Sequence, residues 1–278
     1  MSIIKTAIIQ MAVGEDKLEN IGKAGDYLQK LADQKIDLAV LPEMFCCPYQ
    51  TKNFPVYAEE EGGTCWQLLS DMAASFGIYL AAGSMPEKDE KGRIFNTAYV
   101  FDRQGRQIAK HRKMHLFDIN VSGGQSFMES ETLTAGDRVT VFDTEFGKMG
   151  LCICYDFRFP ELARLMVNEG AKVILVPAAF NMTTGPAHWE IMFRQRAVDN
   201  QVFTIGAAPA RDPAADYISW GHSIAVAPWG NVLVQLDDKE GYTVQTLDLG
   251  EVDKVRRELP LLAHRRSDIY TLCEINSK

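Results

Sequence analysis

Three side chains far apart in the chain have types that could cooperate: a carboxylate at Glu43, an ammonium at Lys113 and a thiol at Cys154. Cys154 lies in Leu151-Cys-Ile-Cys-Tyr-Asp-Phe-Arg-Phe-Pro-Glu161, where an apolar strand runs into the cysteine and a helix is expected near Phe159 or Pro160. A thiol on such a turn is expected to be exposed and close to the positive end of the helix. That field favours thiolate, the nucleophilic form. The backbone N–H of Tyr155 is then placed to donate to an oxyanion. Against this stands the commoner fate of a cysteine, burial as a small apolar side chain.

A cysteine nucleophile needs a proton acceptor. The histidines available are His111, His115, His188, His222 and His264. The other option is a carboxylate. Glu43 ends the apolar run Leu38–Leu41, where desolvation could raise its pKa and suit it to general-base work; the alternative is a solvated rim carboxylate. Lys113 closes the strand-like run 107–113 and could set an ammonium beside a developing oxyanion, although most lysines are simply solvated. Cys152-x-Cys154 also admits a metal or redox pair. No second pair or suitably spaced histidine accompanies it, and the adjacent Cys46 and Cys47 are poorly suited to chelating together, so no metal is expected.

Pro42-Glu-Met-Phe45, His111-Arg-Lys-Met-His-Leu-Phe117 and Cys154-Tyr-Asp-Phe-Arg-Phe-Pro-Glu161 together resemble the nitrilase superfamily, in that family's order and across essentially the whole chain. The likeness is closest to its ω-amidase (Nit2-like) branch. That is carried by Pro177-Ala-Ala-Phe-Asn-Met-Thr-Thr-Gly-Pro-Ala-His-Trp-Glu190, Arg196-Ala-Val-Asp-Asn-Gln201, Pro209-Ala-Arg-Asp212, Trp220-Gly-His-Ser223 and Pro228-Trp-Gly230. The resemblance implies an α/β fold: a single-domain α-β-β-α sandwich with helices on the outer faces of two stacked mixed sheets. It also implies a homodimer and no metal or organic cofactor. It makes Cys154 the nucleophile, Glu43 the general base and acid, and Lys113 the oxyanion stabiliser together with the Tyr155 N–H. Glu129, in Phe127-Met-Glu129, matches a second, supporting carboxylate. Members of the branch release ammonia from ω-amides of α-keto acids, such as α-ketoglutaramate, through a thioester.

Other activities of the superfamily stay open: N-carbamoyl amino-acid amidohydrolase, deaminated-glutathione amidase and aliphatic nitrilase. Different in class are a papain-like Cys–His enzyme and a catalytically silent binding protein on the same scaffold. An α-keto-acid substrate carries a carboxylate, which Arg158 could hold through a bidentate contact. The competing expectation for Arg158 is an ion pair with Asp156 or Glu161. Tyr49, Phe117, Phe180 and Thr184 lie in segments expected near the pocket, where aromatic residues could equally be core.

These groups need elements to hold them. Residues 3–12 read as a first strand, and Leu18, Ile21, Leu28 and Leu31 recur at helical spacing. Residues 36–41 read as a buried strand. Thr64 is a candidate cap for a helix stopped by Gly77, with 78–82 a further strand. Residues 96–113 read as a hairpin turning at Asp102-Arg-Gln-Gly105, and 114–137, with Gly123-Gly124, as a long loop. Strands at 139–143 and 148–153, a helix opened by Pro160, a strand at 172–176, a helix at 186–200 and a strand at 202–207 follow. Antiparallel strands then flank Pro228-Trp-Gly-Asn231. Val40-Leu-Pro-Glu43 and Val176-Pro-Ala178 hint at a β-α-β pseudo-repeat. No linker or low-complexity tract divides the chain, so one domain is expected over 1–278, with about 260–278 an extension that could pack on a partner copy.

Composition sets the outer limits. The 278 residues carry a net charge of −8, are 46% hydrophobic and 24% charged, and show no basic stripe. Such a surface suits neither nucleic acid nor an anionic membrane, and a small-molecule amide is the fitting partner. The N-terminus reads as a strand rather than a leader, no apolar run reaches bilayer-spanning length, and six cysteines suit a reducing compartment; a cytoplasmic location is expected.

Overall fold

The computed structural model describes residues 3–123 and 125–275. In chain order the elements are β1 (Ile3–Gln10), α1 (Lys17–Leu31), β2 (Leu38–Val40), α2 (Phe54–Tyr57), α3 (Thr64–Phe76), β3 (Tyr79–Ala81), β4 (Met85–Lys88), β5 (Ile94–Phe101) and β6 (Gln107–Arg112). They continue with β7 (Asp118–Asn120), β8 (Ser126–Met128), β9 (Val141–Thr144), β10 (Gly147–Leu151), α4 (Pro160–Asn168), β11 (Val173–Pro177), α5 (Gly185–Asn200), β12 (Phe203–Ala207), β13 (Ile224–Val226), β14 (Val232–Gln235), β15 (Gly241–Asp248) and α6 (Gly250–Glu258).

Two mixed sheets result. One runs β15-β1-β2-β3-β5-β4 with β6 added on β5; the other runs β14-β13-β12-β11-β10-β9. Each has a parallel centre, β1-β2-β3 and β10-β11-β12, with antiparallel strands outside. Strand β1 shows how the layers form. Successive side chains alternate faces. Ile4 and Ile8 join the cluster that includes Leu151, Val173 and Leu175 of the other sheet, while Ala7 and Ile9 pack with Ile21, Leu28, Leu69 and Ala73 of α1 and α3. Helices α4 and α5 cover the far side of the second sheet through Leu162, Met166, Trp189 and Phe193. The order helix–sheet–sheet–helix is the expected sandwich. Fully burying one such aliphatic side chain contributes about 1.5–3 kcal/mol, so this doubled interior supplies the main driving force.

Two local signals hold: Gly77 ends α3 in the left-handed conformation at φ 64°, and Asp102–Gly105 turns the β5–β6 hairpin. Asp16, which the sequence reading did not single out, caps α1 by accepting from the Glu19 N–H. Three expectations are corrected. Leu18 is exposed, because the buried stripe of α1 runs through Ile21, Ala24, Tyr27, Leu28 and Leu31. Thr64 is the first helical residue rather than the cap, and the Glu59 carboxylate instead accepts from the Cys65 N–H. The 114–137 segment is not all loop: β7 and β8 pair, and a 3-10 turn at Glu129–Glu131 follows. Gly124 of the Gly123-Gly124 signal lies outside the described residues, as do residues 276–278 of the expected C-terminal extension.

Candidate active site

The chemistry-bearing residues gather at the strand ends. Glu43 follows β2 through Leu41-Pro42, Lys113 continues β6, and Cys154 follows β10. The carboxyl ends of parallel strands in open α/β sheets are where ligand crevices form. Two glycines let backbone close on these ends. A Cβ at Gly83, whose φ is +62°, would stand 2.2 Å from the Pro42 carbonyl oxygen, next to Glu43. One at Gly136 would stand 2.1 Å from the Arg112 carbonyl, and the Gly136 N–H donates to the Lys113 carbonyl.

Glu43, Lys113 and Glu129 are each 0% exposed. Lys113 Nζ donates to Glu43 Oε1 at 2.9 Å and to Glu129 Oε1 at 2.9 Å, with the Tyr49 hydroxyl at 3.3 Å. Tyr49 donates to Glu129 Oε1 at 2.6 Å and lies 3.1 Å from Glu43 Oε1. Asn96 Nδ2 donates to Glu43 Oε1 at 2.8 Å, and the Ala179 N–H donates to Glu43 Oε2 at 2.8 Å. The Phe117 N–H donates to Glu129 Oε2 at 2.7 Å. Charges this deeply buried persist only when paired and hydrogen-bonded, and here they are. Burial by itself would draw the Lys113 pKa down; Glu129 and Glu43 outweigh it and hold the ammonium above the ordinary lysine value. Burial lifts the Glu129 pKa, with Lys113 pulling the other way and Glu43 adding to the rise.

Cys154 adopts φ 45°, a conformation uncommon for a residue with a side chain and frequent at functional turns. Its thiol is held against the Glu43 carboxylate and the Ala179 N–H. Two expectations fail here. Cys154 is only 4% exposed, and its pKa lies well above the ordinary thiol value, through burial first and the Glu43 charge second, with Lys113 opposing. The fold encloses the thiol beside a carboxylate, and Cys154–Arg158 forms a 3-10 turn ahead of α4 rather than the first turn of the helix itself. The Tyr155 N–H, in the first turn of that segment, makes no hydrogen bond among the described residues.

The histidines are engaged elsewhere. His111 Nε2 and His115 Nδ1 lie 2.9 Å and 2.8 Å from the Asp156 carboxylate, and His222 stacks on Trp220. His188 is beside Arg158, and His264 is exposed. Among the described residues none joins the Glu43–Lys113–Glu129 cluster.

Arg158 does not pair with Asp156 or Glu161. Its guanidinium lies over the Phe180 ring, 4.5 Å from the centroid, and donates to His188 Nδ1 at 3.0 Å. Among the described residues it makes no ion pair, and burial draws its pKa down. Tyr49 and Phe117 border the cluster itself. Phe180 is buried edge-on against Trp189, and Thr184 sits at the start of α5 bonded to Asn181 Oδ1. A cleft of about 350 Å³ is bounded by Glu43, Tyr49, Ala179 and Tyr217 among others.

Tyr217, Ala179, Asn96 and Asp156 escaped the sequence reading. Tyr217 donates to the Ala179 carbonyl at 2.5 Å and packs on Tyr49 with centroids 4.5 Å apart and the rings tilted by 33°. Burial and the nearby Cys154 and Glu43 raise its pKa. Ala179 acts through its backbone, which no residue type betrays. The available clue for Asp156 was its place inside the cysteine segment, two residues after the thiol. No group of three or more His, Cys, Asp or Glu among the described residues is gathered as a metal-ligand set.

The chain is 45% identical over 272 residues to the ω-amidase NIT2 of Mus musculus and 44% identical over 272 residues to that of Homo sapiens, covering 98% of each chain. The structure resembles that of Saccharomyces cerevisiae Nit3, a member of branch 10 of the nitrilase superfamily. That likeness has a TM-score of 0.88, 39% identity, and 95% and 97% coverage. It also resembles an amidase from Nesterenkonia sp. AN1 with the acetamide moiety of fluoroacetamide added covalently at its active-site cysteine, at TM-score 0.80, 25% identity, and 96% and 95% coverage. The carbon–nitrogen hydrolase family matches residues 5–257, leaving only short terminal stretches outside it, and the chain belongs to that family, within the nitrilase superfamily.

Proposed function

We propose that this chain is an ω-amidase that releases ammonia from a small ω-amide of an α-keto dicarboxylic acid, with Cys154 as nucleophile. One observation carries the reading: a fully buried ammonium, Lys113, held at 2.9 Å by each of two carboxylates, one of which faces the thiol. The near-full-length likeness to proteins named ω-amidase supports the substrate class.

The proton bookkeeping starts from a neutral thiol, as its raised pKa requires. Glu43 takes the Cys154 proton as sulfur attacks the amide carbonyl. The carbonyl oxygen becomes an oxyanion facing Lys113 and the Tyr155 N–H; removal of one such donor typically costs about 2.7–4 kcal/mol of transition-state stabilisation. Protonated Glu43 then delivers its proton to the nitrogen, the C–N bond breaks, ammonia leaves and a thioester remains. Glu43 next draws a proton from water, the hydroxyl oxygen attacks the thioester carbonyl, the C–S bond breaks, and the proton returns to sulfur. Glu129 keeps Lys113 cationic and aimed, with Tyr49 bridging the two carboxylates. Arg158 offers the distal substrate carboxylate a cation with no competing anion.

The test is ammonia release from α-ketoglutaramate, glutamine, N-carbamoyl amino acids, deaminated glutathione and aliphatic nitriles. Turnover of α-ketoglutaramate at least tenfold above the others is expected; preference for a carbamoyl compound or a nitrile would overturn the substrate assignment.

Two further readings accompany it. Exposed Ile191 and Val198 on α5 and exposed Trp229 form an apolar face suited to a second copy in a homodimer, with the largely exposed residues 261–275 reaching onto that copy. Free cysteines at positions 46, 47, 65, 152, 154 and 273 suit the reducing cytoplasm. No helix among the described residues is long and apolar enough to cross a membrane.

A further inference from the structure

Asp156 is 0% exposed and touches neither the cleft nor the Lys113 ammonium, yet its carboxylate reaches both chain segments that carry the reacting groups. Oδ1 accepts from the backbone N–H of Met114 at 3.1 Å, from the backbone N–H of His115 at 2.8 Å and from the His115 ring at 2.8 Å. These follow Lys113 directly. Oδ2 accepts from the His111 ring at 2.9 Å and from the backbone N–H of Ile153 at 3.1 Å, one residue before Cys154. The Asp156 backbone closes the same turn: its N–H donates to the Ile153 carbonyl, and its carbonyl accepts from the Phe159 N–H.

We infer that Asp156 is a positioning residue for the amide hydrolysis, a clamp that locks the Lys113 segment to the Cys154 turn and thereby sets the distance between oxyanion stabiliser and nucleophile. The residue type fits. Every partner of the side chain presents a donor, and only a carboxylate offers two oxygens that both accept; an amide would turn an N–H toward one of these donors. His111 is fixed behind it by Thr140 at 2.9 Å, and His115 stacks on Phe159 with centroids 3.8 Å apart, so the clamp is itself braced. The Lys113 backbone is tied on its other edges, its N–H to the Asn96 carbonyl and its carbonyl to the Gly136 N–H, which leaves Asp156 to couple it to the cysteine. The strained φ of Cys154 needs such a neighbour to persist. Small displacements of positioned groups are costly to rate, because catalysis depends on near-attack geometry.

The inference rests on the amidase reading, and the experiment separates the two. In purified full-length protein, Asp156→Asn should lower kcat for ammonia release from α-ketoglutaramate at least 100-fold while KM changes less than threefold. Single-turnover acylation of Cys154, followed by intact mass, should slow by the same factor. Near-ultraviolet circular dichroism measures the folded fraction, to which kcat is normalised. A merely structural role would reduce that fraction and leave kcat per folded molecule unchanged. Should D156N fail to fold, His115→Ala removes one arm of the clamp and retains the rest; a tenfold fall in kcat at constant KM is then expected. Active wild-type enzyme with unchanged kcat per folded molecule in D156N, or in H115A where D156N is unfolded, overturns the clamp alone. Wild-type protein that turns over no amide overturns the amidase reading and the clamp with it.

Discussion

Lys113 and Arg158 are both cations in the neighbourhood of Cys154, but their surroundings are opposite. Lys113 is fully enclosed and doubly paired with Glu43 and Glu129. Arg158 is half-buried, backed by Phe180 and His188, and has no carboxylate partner among the described residues. The first cation is neutralised by the protein. On the proposed function the second is left for an anion from outside, which would divide the site into a part complete before substrate arrives and a part that substrate completes.

The comparison breaks most severely at the nucleophile. Cys154→Ala should abolish ammonia release, with the melting temperature near that of wild type because a small buried side chain is exchanged for another. Measurable turnover in the purified variant would remove the thiol from the mechanism. Next in size is Glu43→Gln, which keeps the size of the side chain but loses the base and turns an N–H toward one of its donors; kcat should fall by about 10²–10⁴-fold. Lys113→Met should also cost stability, because it strands two buried carboxylates. Breaking one side of a buried pair costs about 3–5 kcal/mol, so chemical denaturation should reveal a loss of that size.

Arg158→Met tests the other half. A hydrogen bond to a charged group contributes about 1.5–3 kcal/mol, so kcat/KM for a keto-acid amide should fall roughly 10–100-fold. A neutral amide such as propionamide should be nearly unaffected. Equal losses on both substrates would place Arg158 with Lys113 in the fixed machinery and dissolve the distinction. A milder probe is the pH dependence of Cys154 alkylation by iodoacetamide. Because burial and Glu43 raise the thiol pKa, the neutral form persists through neutral pH, and alkylation should climb steadily from pH 6 to 9 without a plateau. A plateau below pH 7 would restore the thiolate expected from the sequence.

Why that expectation failed shows where sequence is informative. The strand run of β1, the stop of α3 at Gly77 and the β5–β6 turn are local properties, visible in consecutive residues. Glu43, Lys113 and Cys154 were legible because each carries its own short segment, and Glu129 because Phe127-Met-Glu129 recurs in the resembled family. The environment of Cys154 was not legible. It depends on enclosure by the folded chain and on the Glu43 carboxylate, which the fold brings in from a distant segment. For Arg158 the expected ion pair with Asp156 fails because of where Asp156 points: its oxygens are consumed by His111, His115 and three backbone N–H groups, leaving none for the arginine.

The smallest expected effect is the sharpest on this boundary. Tyr217 forms part of the cleft wall, which assigns it to the substrate side; its hydroxyl also donates to the Ala179 carbonyl, which assigns it to the fixed side. The Ala179 N–H on the opposite edge of that residue holds Glu43 Oε2. Tyr217→Phe keeps the ring and its packing on Tyr49, and removes only the bond to Ala179. An unsatisfied buried acceptor costs about 1–3 kcal/mol, spread between stability and the alignment of Glu43. If the hydroxyl serves the base through Ala179, kcat should fall a few-fold with KM unchanged, equally for charged and neutral amides. If Tyr217 contacts substrate instead, KM should rise for the keto-acid amide alone. The second pattern would move the dividing line inward, making Tyr217 a companion of Arg158 rather than of Lys113.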